Sequence, residues 1–200
     1  MTGLSLDALS AVLMIPAGGA ALLLLLPGYR LGAWGNVALS LVTFLAAASL
    51  FVVPRPAPGS FLHLDDLNIV FIVLNTFVGF TAALFSASYI GHELLIGRLS
   101  PVNLRFYHAM YQVMMFAMLL AFTSNNIGLM WVAVEAATLT TVVMVSIYRT
   151  RESIEAAWKY FILGSVGIAL ALFGTILIYL AAQPVIGDGV DALAWTNLHA

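Results

Sequence analysis

The stretch LMWVAVEAATLTTVVMV, residues 129–145, decides the fold class. It is apolar enough to cross a bilayer, yet it holds a carboxylate, Glu135, near its middle. Runs of this kind recur along the chain. Reading for stretches long enough to cross a bilayer gives six spans, at roughly 6–26, 32–53, 67–90, 106–123, 127–147 and 157–182. Between them stand the breakers PGYRLGAWG, PRPAPGS, GHELLIGRLSP, TSNN and YRTRES, rich in Pro, Gly, Ser and Asn as connections are. None is long enough to hide a soluble domain. In hydrocarbon a backbone must satisfy its own hydrogen bonds, and the β-barrel alternative would show alternating segments of about 10 residues. The sequence therefore predicts an all-α integral membrane bundle of about six transmembrane helices, a single transmembrane domain over residues 1–200.

Composition agrees with that reading. Hydrophobic residues make up 62% of the 200 positions and charged residues 8%, with a mean hydropathy of +1.05. A soluble domain would need far more charge on its surface. Cysteine is absent, which removes disulfides, thiol chemistry and cysteine metal sites. A net charge of -2 with no cluster of Lys or Arg argues against nucleic acid as a partner. No nucleotide, haem, iron–sulfur or nucleophile-elbow pattern is present, so no catalytic centre, cofactor or metal is expected in this chain.

The basic residues orient the bundle, because Lys and Arg collect in cytoplasmic loops. With the N-terminus outside, Arg30, Arg98, Arg105, Arg149, Arg151 and Lys159 fall on the cytoplasmic side and only Arg55 outside. Asp7 and the lack of a positive leader mark the first span as a retained helix. The tail AAQPVIGDGVDALAWTNLHA leaves the sixth span, turns through Pro and Gly and is expected to build nothing further. The chain is read as a fragment or a shortened product of a longer one, the alternative being a bundle that ends there naturally.

Glu135 lies eight residues into the fifth span, roughly 12 Å deep at the helical rise. An acidic group there costs about 2.5–3.5 kcal/mol even on the lenient insertion scale, so it normally faces the bundle interior, a partner or water. Trp131 and Thr138 share its helix face at i−4 and i+3. One reading is a protonated, purely structural carboxyl; the other is a proton or ion relay. The bilayer favours the neutral form of a carboxyl and a nearby cation the charged form, and a group held between those influences can take up and release a proton.

Lys159, in SIEAAWKYFILGSVG, is the candidate cation near a span. Glu155 at i−4 also offers it an ordinary helix salt bridge. His108 near the inner end of the fourth span could titrate or simply anchor a Tyr-rich interface. His63, Asp65 and Asp66 suit the capped start of span three. Met110, Met114, Met115 and Met118 read as core filling, and Gly164, Gly167, Ala171 and Gly174 as a stripe for close helix contact.

The motifs GLMWVAVEA, EAAWKY and SVGIALALFGT, with SPVNLRFYHAMYQVMMFAM and LHLDDLNIVFIV before them, resemble the antiporter-like membrane subunits of respiratory complex I, Mrp antiporters and group 4 hydrogenases, and among these the hydrogenase-4 type. The resemblance implies a roughly fourteen-helix protein built on two inverted five-helix repeats. It also implies proton translocation, or sodium exchange in some branches, driven by a peripheral redox arm on partner subunits in a prokaryotic inner membrane. Glu135 matches the family's buried glutamate of the fifth helix and Lys159 the lysine of the sixth; a further lysine would lie on a seventh helix, beyond Ala200. The alternatives are an Mrp-type cation/proton antiporter component and a structural membrane anchor that moves no ions.

Overall fold

The computed structural model of the chain describes residues 3–26 and 28–198, the side chains of residues 3–7, 101 and 102 excepted. Asp7, which bears on the character of the first helix, therefore lies outside the described side chains. Six long helices follow one another: α1 Gly3–Leu25, α2 Tyr29–Ser49, α3 Asp66–Leu95, α4 Pro101–Thr123, α5 Ile127–Val145 and α6 Arg151–Ile186. All six are long and apolar enough to cross a bilayer, and the chain is a multi-pass, all-α membrane protein.

Short polar residues begin four of these helices by accepting hydrogen bonds that the first helical turn cannot make internally. Asp65 Oδ1 accepts from the Asn68 amide at 2.7 Å, Ser100 Oγ from Asn103 at 3.3 Å, Asn126 Oδ1 from Leu129 at 3.0 Å and Thr150 Oγ1 from Ser153 at 3.2 Å. Asp65 thus has the capping place expected of it. Arg149 turns the chain into α6 with a left-handed backbone, φ 52°.

Lipid is as apolar as a leucine side chain, so helix association in a membrane leans on close packing. Small residues supply it. Leu39 presses on Gly19 between α1 and α2, and Met115 fills the space a side chain at Gly79 would need between α3 and α4. The central helix is α4, packed on α1, α2, α3 and α5. Leu9, Val12, Leu13, Ala47, Leu50, Ile69, Ile72 and Leu119 form the largest buried apolar cluster. In contrast, α6 rests chiefly on α5 and leaves the rest of its surface open, Leu163 and Leu170 included.

Helix alternation gives the bundle two chemically different ends. Arg30, Arg98, Arg149 and Arg151 gather at the end holding the α1–α2, α3–α4 and α5–α6 connections; Arg55, Asp65, Asp66, Asp188 and Asp191 lie at the other.

The tail differs from expectation. Pro184 does not stop α6, which continues to Ile186. Beyond it a 3-10 turn at Val190–Leu193 and a short helix α7, Trp195–Leu198, dock back on the bundle. Buried Asn125 holds them: its Nδ2 donates to Gly59 O at 2.7 Å and Thr196 Oγ1 at 3.1 Å, and its Oδ1 accepts from the Thr196 amide at 3.2 Å. The sequence could not show this, because the receptor for the tail is assembled from two loops far apart along the chain.

Candidate functional site

The face of α5 that carries Trp131, Glu135 and Thr138 is its contact with α6. Trp131 Nε1 donates to Ile168 O at 2.8 Å, and a Cβ at Gly164 would stand 3.2 Å from Thr138 Cγ2. Glu135 lies between these two contacts. Its residue is only partly buried, but Oε2 is shielded and has no hydrogen-bond partner among the described residues. A buried polar atom left this way costs about 1–3 kcal/mol, more when charged. The site therefore holds a carboxyl group with unused bonding capacity in the middle of a helix–helix contact.

A cavity of about 420 Å³ adjoins this contact, lined by Met114, Met118, Val134, Ala137, Thr138 and Tyr160 among others. Met114 and Met118 border this space, while Met114 also packs against the buried cluster of Val37, Ala83, Tyr111 and Met115, as core filling predicts. Of the small-residue stripe on α6, Gly164 meets a neighbour, whereas Gly167 and Gly174 have nothing within 4 Å.

Lys159 is not brought to Glu135. Its Nζ bonds Glu155 Oε1 at 2.6 Å with both side chains largely exposed. Nine residues, about two and a half helical turns, separate it from Ile168, so it projects from the side of α6 opposite the Trp131 contact. Its level on the helix is about 8–14 Å nearer the basic end than that of Glu135, from the rise per residue.

His108 lies elsewhere again, and deeper than an interfacial anchor would. It is 1% exposed, with its ring edge-on to Tyr107 at 5.3 Å, and neither ring nitrogen has a partner among the described residues. One turn on, buried Gln112 Nε2 donates to Asn36 Oδ1 at 2.8 Å and Ser40 Oγ at 3.1 Å, tying α4 to α2. The amide nitrogen of Asn36 is unpartnered among the described residues. Sequence reading missed Gln112, Asn36 and Ser40. The signal was there: two polar pairs at i,i+4, His108/Gln112 and Asn36/Ser40, each placing a polar edge on one face of an apolar helix.

At the basic end, Glu93 is also buried, 3.7 Å from the exposed Arg98. Beside it Tyr89 and Tyr148 join their hydroxyls at 3.3 Å, around a cavity of about 440 Å³ that Glu93 and Arg98 also line.

Known proteins share these same segments. Residues 124–187, which span α5, α6 and both Glu135 and Lys159, match the family model described as NADH:quinone oxidoreductase/Mrp antiporter, transmembrane. A hydrogenase-4 component F homolog of Methylacidiphilum infernorum is 58% identical over 191 residues, 96% of this chain and 40% of the relative. NADH-quinone oxidoreductase subunit N 1 of Opitutus terrae is 38% identical over 99 residues, 48% of this chain and 19% of the relative. The corresponding NADH-quinone oxidoreductase subunit N of Coxiella burnetii is 31% identical over 87 residues, 42% of this chain and 18% of the relative. The chain spans at most two fifths of the length of these relatives.

Proposed function

We propose that this chain, which belongs to the family of antiporter-like membrane proteins of complex I, Mrp antiporters and group 4 hydrogenases, supplies the N-terminal part of a proton-translocating subunit. In this reading the subunit sits in a prokaryotic inner membrane with its basic end in the cytoplasm. It works beside other membrane subunits and a redox arm, and electron transfer there drives proton movement. Likeness to a hydrogenase-4 component supports a hydrogenase-type partner.

The observation that carries the proposal is Glu135 Oε2, held in the α5–α6 contact without a hydrogen-bond partner among the described residues. Glu135 takes up a proton when the field of neighbouring charges weakens and releases it when a cation draws near, since opposite charge favours the ionised form. Trp131 fixes the helix pair around it, and Thr138 sets the spacing against Gly164. Lys159 acts from the other side of α6: it exchanges Glu155 for groups brought against the open face of that helix, and so feeds or biases the relay without touching Glu135.

Glu135→Gln in the assembled, full-length complex is the test. The variant keeps shape and hydrogen bonding but cannot ionise. Expected is a loss of proton pumping per electron with assembly intact; unchanged pumping would refute the assignment. Lys159→Ala is expected to lower pumping as well, and normal pumping in that variant would reduce Lys159 to a helix salt bridge. The family model also names Mrp antiporters; activity that follows a sodium gradient rather than an electron donor would favour that branch.

A further inference from the structure

We propose that His108, Gln112, Asn36 and Ser40 form a hydrated site between α2 and α4, a second place in the membrane where protons are exchanged, distinct from Glu135. The geometry separates the two. Helix α4 turns His108 and Gln112 toward α2, whereas Met114 and Met118 face the cavity beside Thr138 on α5. The interval from Gln112 to Met114 is about 200° of rotation, nearly opposite sides of one helix.

The site asks for water by its bonding. His108 Nδ1 and Nε2 and Asn36 Nδ2 are all shielded and unpartnered among the described residues, while Gln112, Asn36 and Ser40 are already bonded to one another. Internal water occupies polar, enclosed places where it finds two to four partners, and these four side chains offer that many. No carboxylate stands among them, which disfavours a metal cation and favours a neutral ligand. A cavity of about 760 Å³ lined by Tyr29, Arg30, Gly91 and His92 lies where α2 and α3 meet at the basic end, and Gly32 on the next turn of α2 comes close to the His108 ring. That end of the bundle is the nearer one for water to enter by.

The titratable groups on the packed elements are few. Residues 8–25 of α1 hold none; α2 brings Tyr29 and Arg30, α3 brings Asp66, Tyr89, His92 and Glu93, α5 brings Glu135 on its α6 side, and α4 itself adds Arg105, Tyr107 and Tyr111. Imidazole can move a proton without net change: water delivers a proton to the nitrogen with the lone pair, the other nitrogen gives up its own to a second water, and the ring ends neutral as the opposite tautomer.

Solid-state NMR of the full-length protein in lipid bilayers, labelled with 15N-histidine, tests this directly. The His108 resonance is identified by its loss in His108→Gln. Exchange cross-peaks between its ring N–H and water are expected, and Gln112→Leu is expected to slow that exchange at least ten-fold by removing the bonds that hold the site open. Ser40→Ala is a milder variant for use if Gln112→Leu does not fold, with slower exchange again expected. A His108 ring N–H that does not exchange with water, or exchange unaltered in the folded variant, would overturn the proposal. The readout is independent of pumping, so it stands or falls apart from the role of Glu135.

Discussion

Gln112→Leu offers a quantitative test of what joins α2 to α4. Leucine nearly matches glutamine in volume, so packing on α4 is preserved and the polar contacts are lost. Gln112, 1% exposed, donates to Asn36 Oδ1 at 2.8 Å and Ser40 Oγ at 3.1 Å. Bonds of this kind between membrane helices average about 0.6 kcal/mol, with a maximum near 1.7. To this is added the Asn36 amide, whose nitrogen is already unpartnered among the described residues and whose oxygen would become so, at about 1 kcal/mol or more. The sum is about 2–4 kcal/mol of destabilisation. Reversible unfolding in mixed micelles, followed by tryptophan fluorescence, measures it. The companion variant Asn36→Leu and the double variant complete a thermodynamic cycle, in which the double loss should fall short of the sum of the single losses by about 1 kcal/mol, as expected for groups in contact. A Gln112→Leu loss below about 0.5 kcal/mol, or strict additivity, would refute the reasoning.

Three further perturbations bear on other parts of the fold. Gly164→Val places a side chain against Thr138, where a Cβ already stands 3.2 Å from Cγ2; overpacking should cost about 1–3 kcal/mol, and adding Thr138→Ala should restore much of it in the same unfolding assay. Trp131→Phe removes the indole bond to Ile168 O and should cost about 1 kcal/mol, read as a lower unfolding midpoint with α5–α6 crosslinking weakened. Asn125→Ala removes the three side-chain bonds that seat the loop and tail, at about 1 kcal/mol each, and limited proteolysis within residues 187–198 should accelerate at least ten-fold; an unchanged rate would mean that Asn125 does not hold the tail.

Much of the candidate site was legible in particular residues. A carboxylate within LMWVAVEAATLTTVVMV had to be shielded, because hydrocarbon tolerates a charge so poorly. Helical spacing then put Trp131 and Thr138 beside Glu135, and both make the α5–α6 contact. Lys159 shows where local reasoning stops. Its sequence interval from Glu155 is a sound local statement, borne out by the 2.6 Å bond, but which side of α6 meets α5 is not a local property. His108 shows the same limit from the other direction: a place near a helix end suggested an interface, whereas α2 packs over it and buries it.

By itself the sequence determined the class of protein and its elements. Apolar runs of spanning length leave the backbone no choice but helices in a bilayer, and the breakers between them place the turns. It determined the chemical difference between the bundle's two ends and the presence of a costly carboxylate between them. Only the tertiary structure decided which polar groups meet: Gln112 with Asn36 and Ser40, Asn125 with Gly59 and Thr196, Glu135 with the α6 contact but not with Lys159. The physical reason is that hydropathy and helical period act within one segment. The partner of a buried polar atom is set by which faces of separate helices come together, and small residues and shape decide that between segments far apart in the chain.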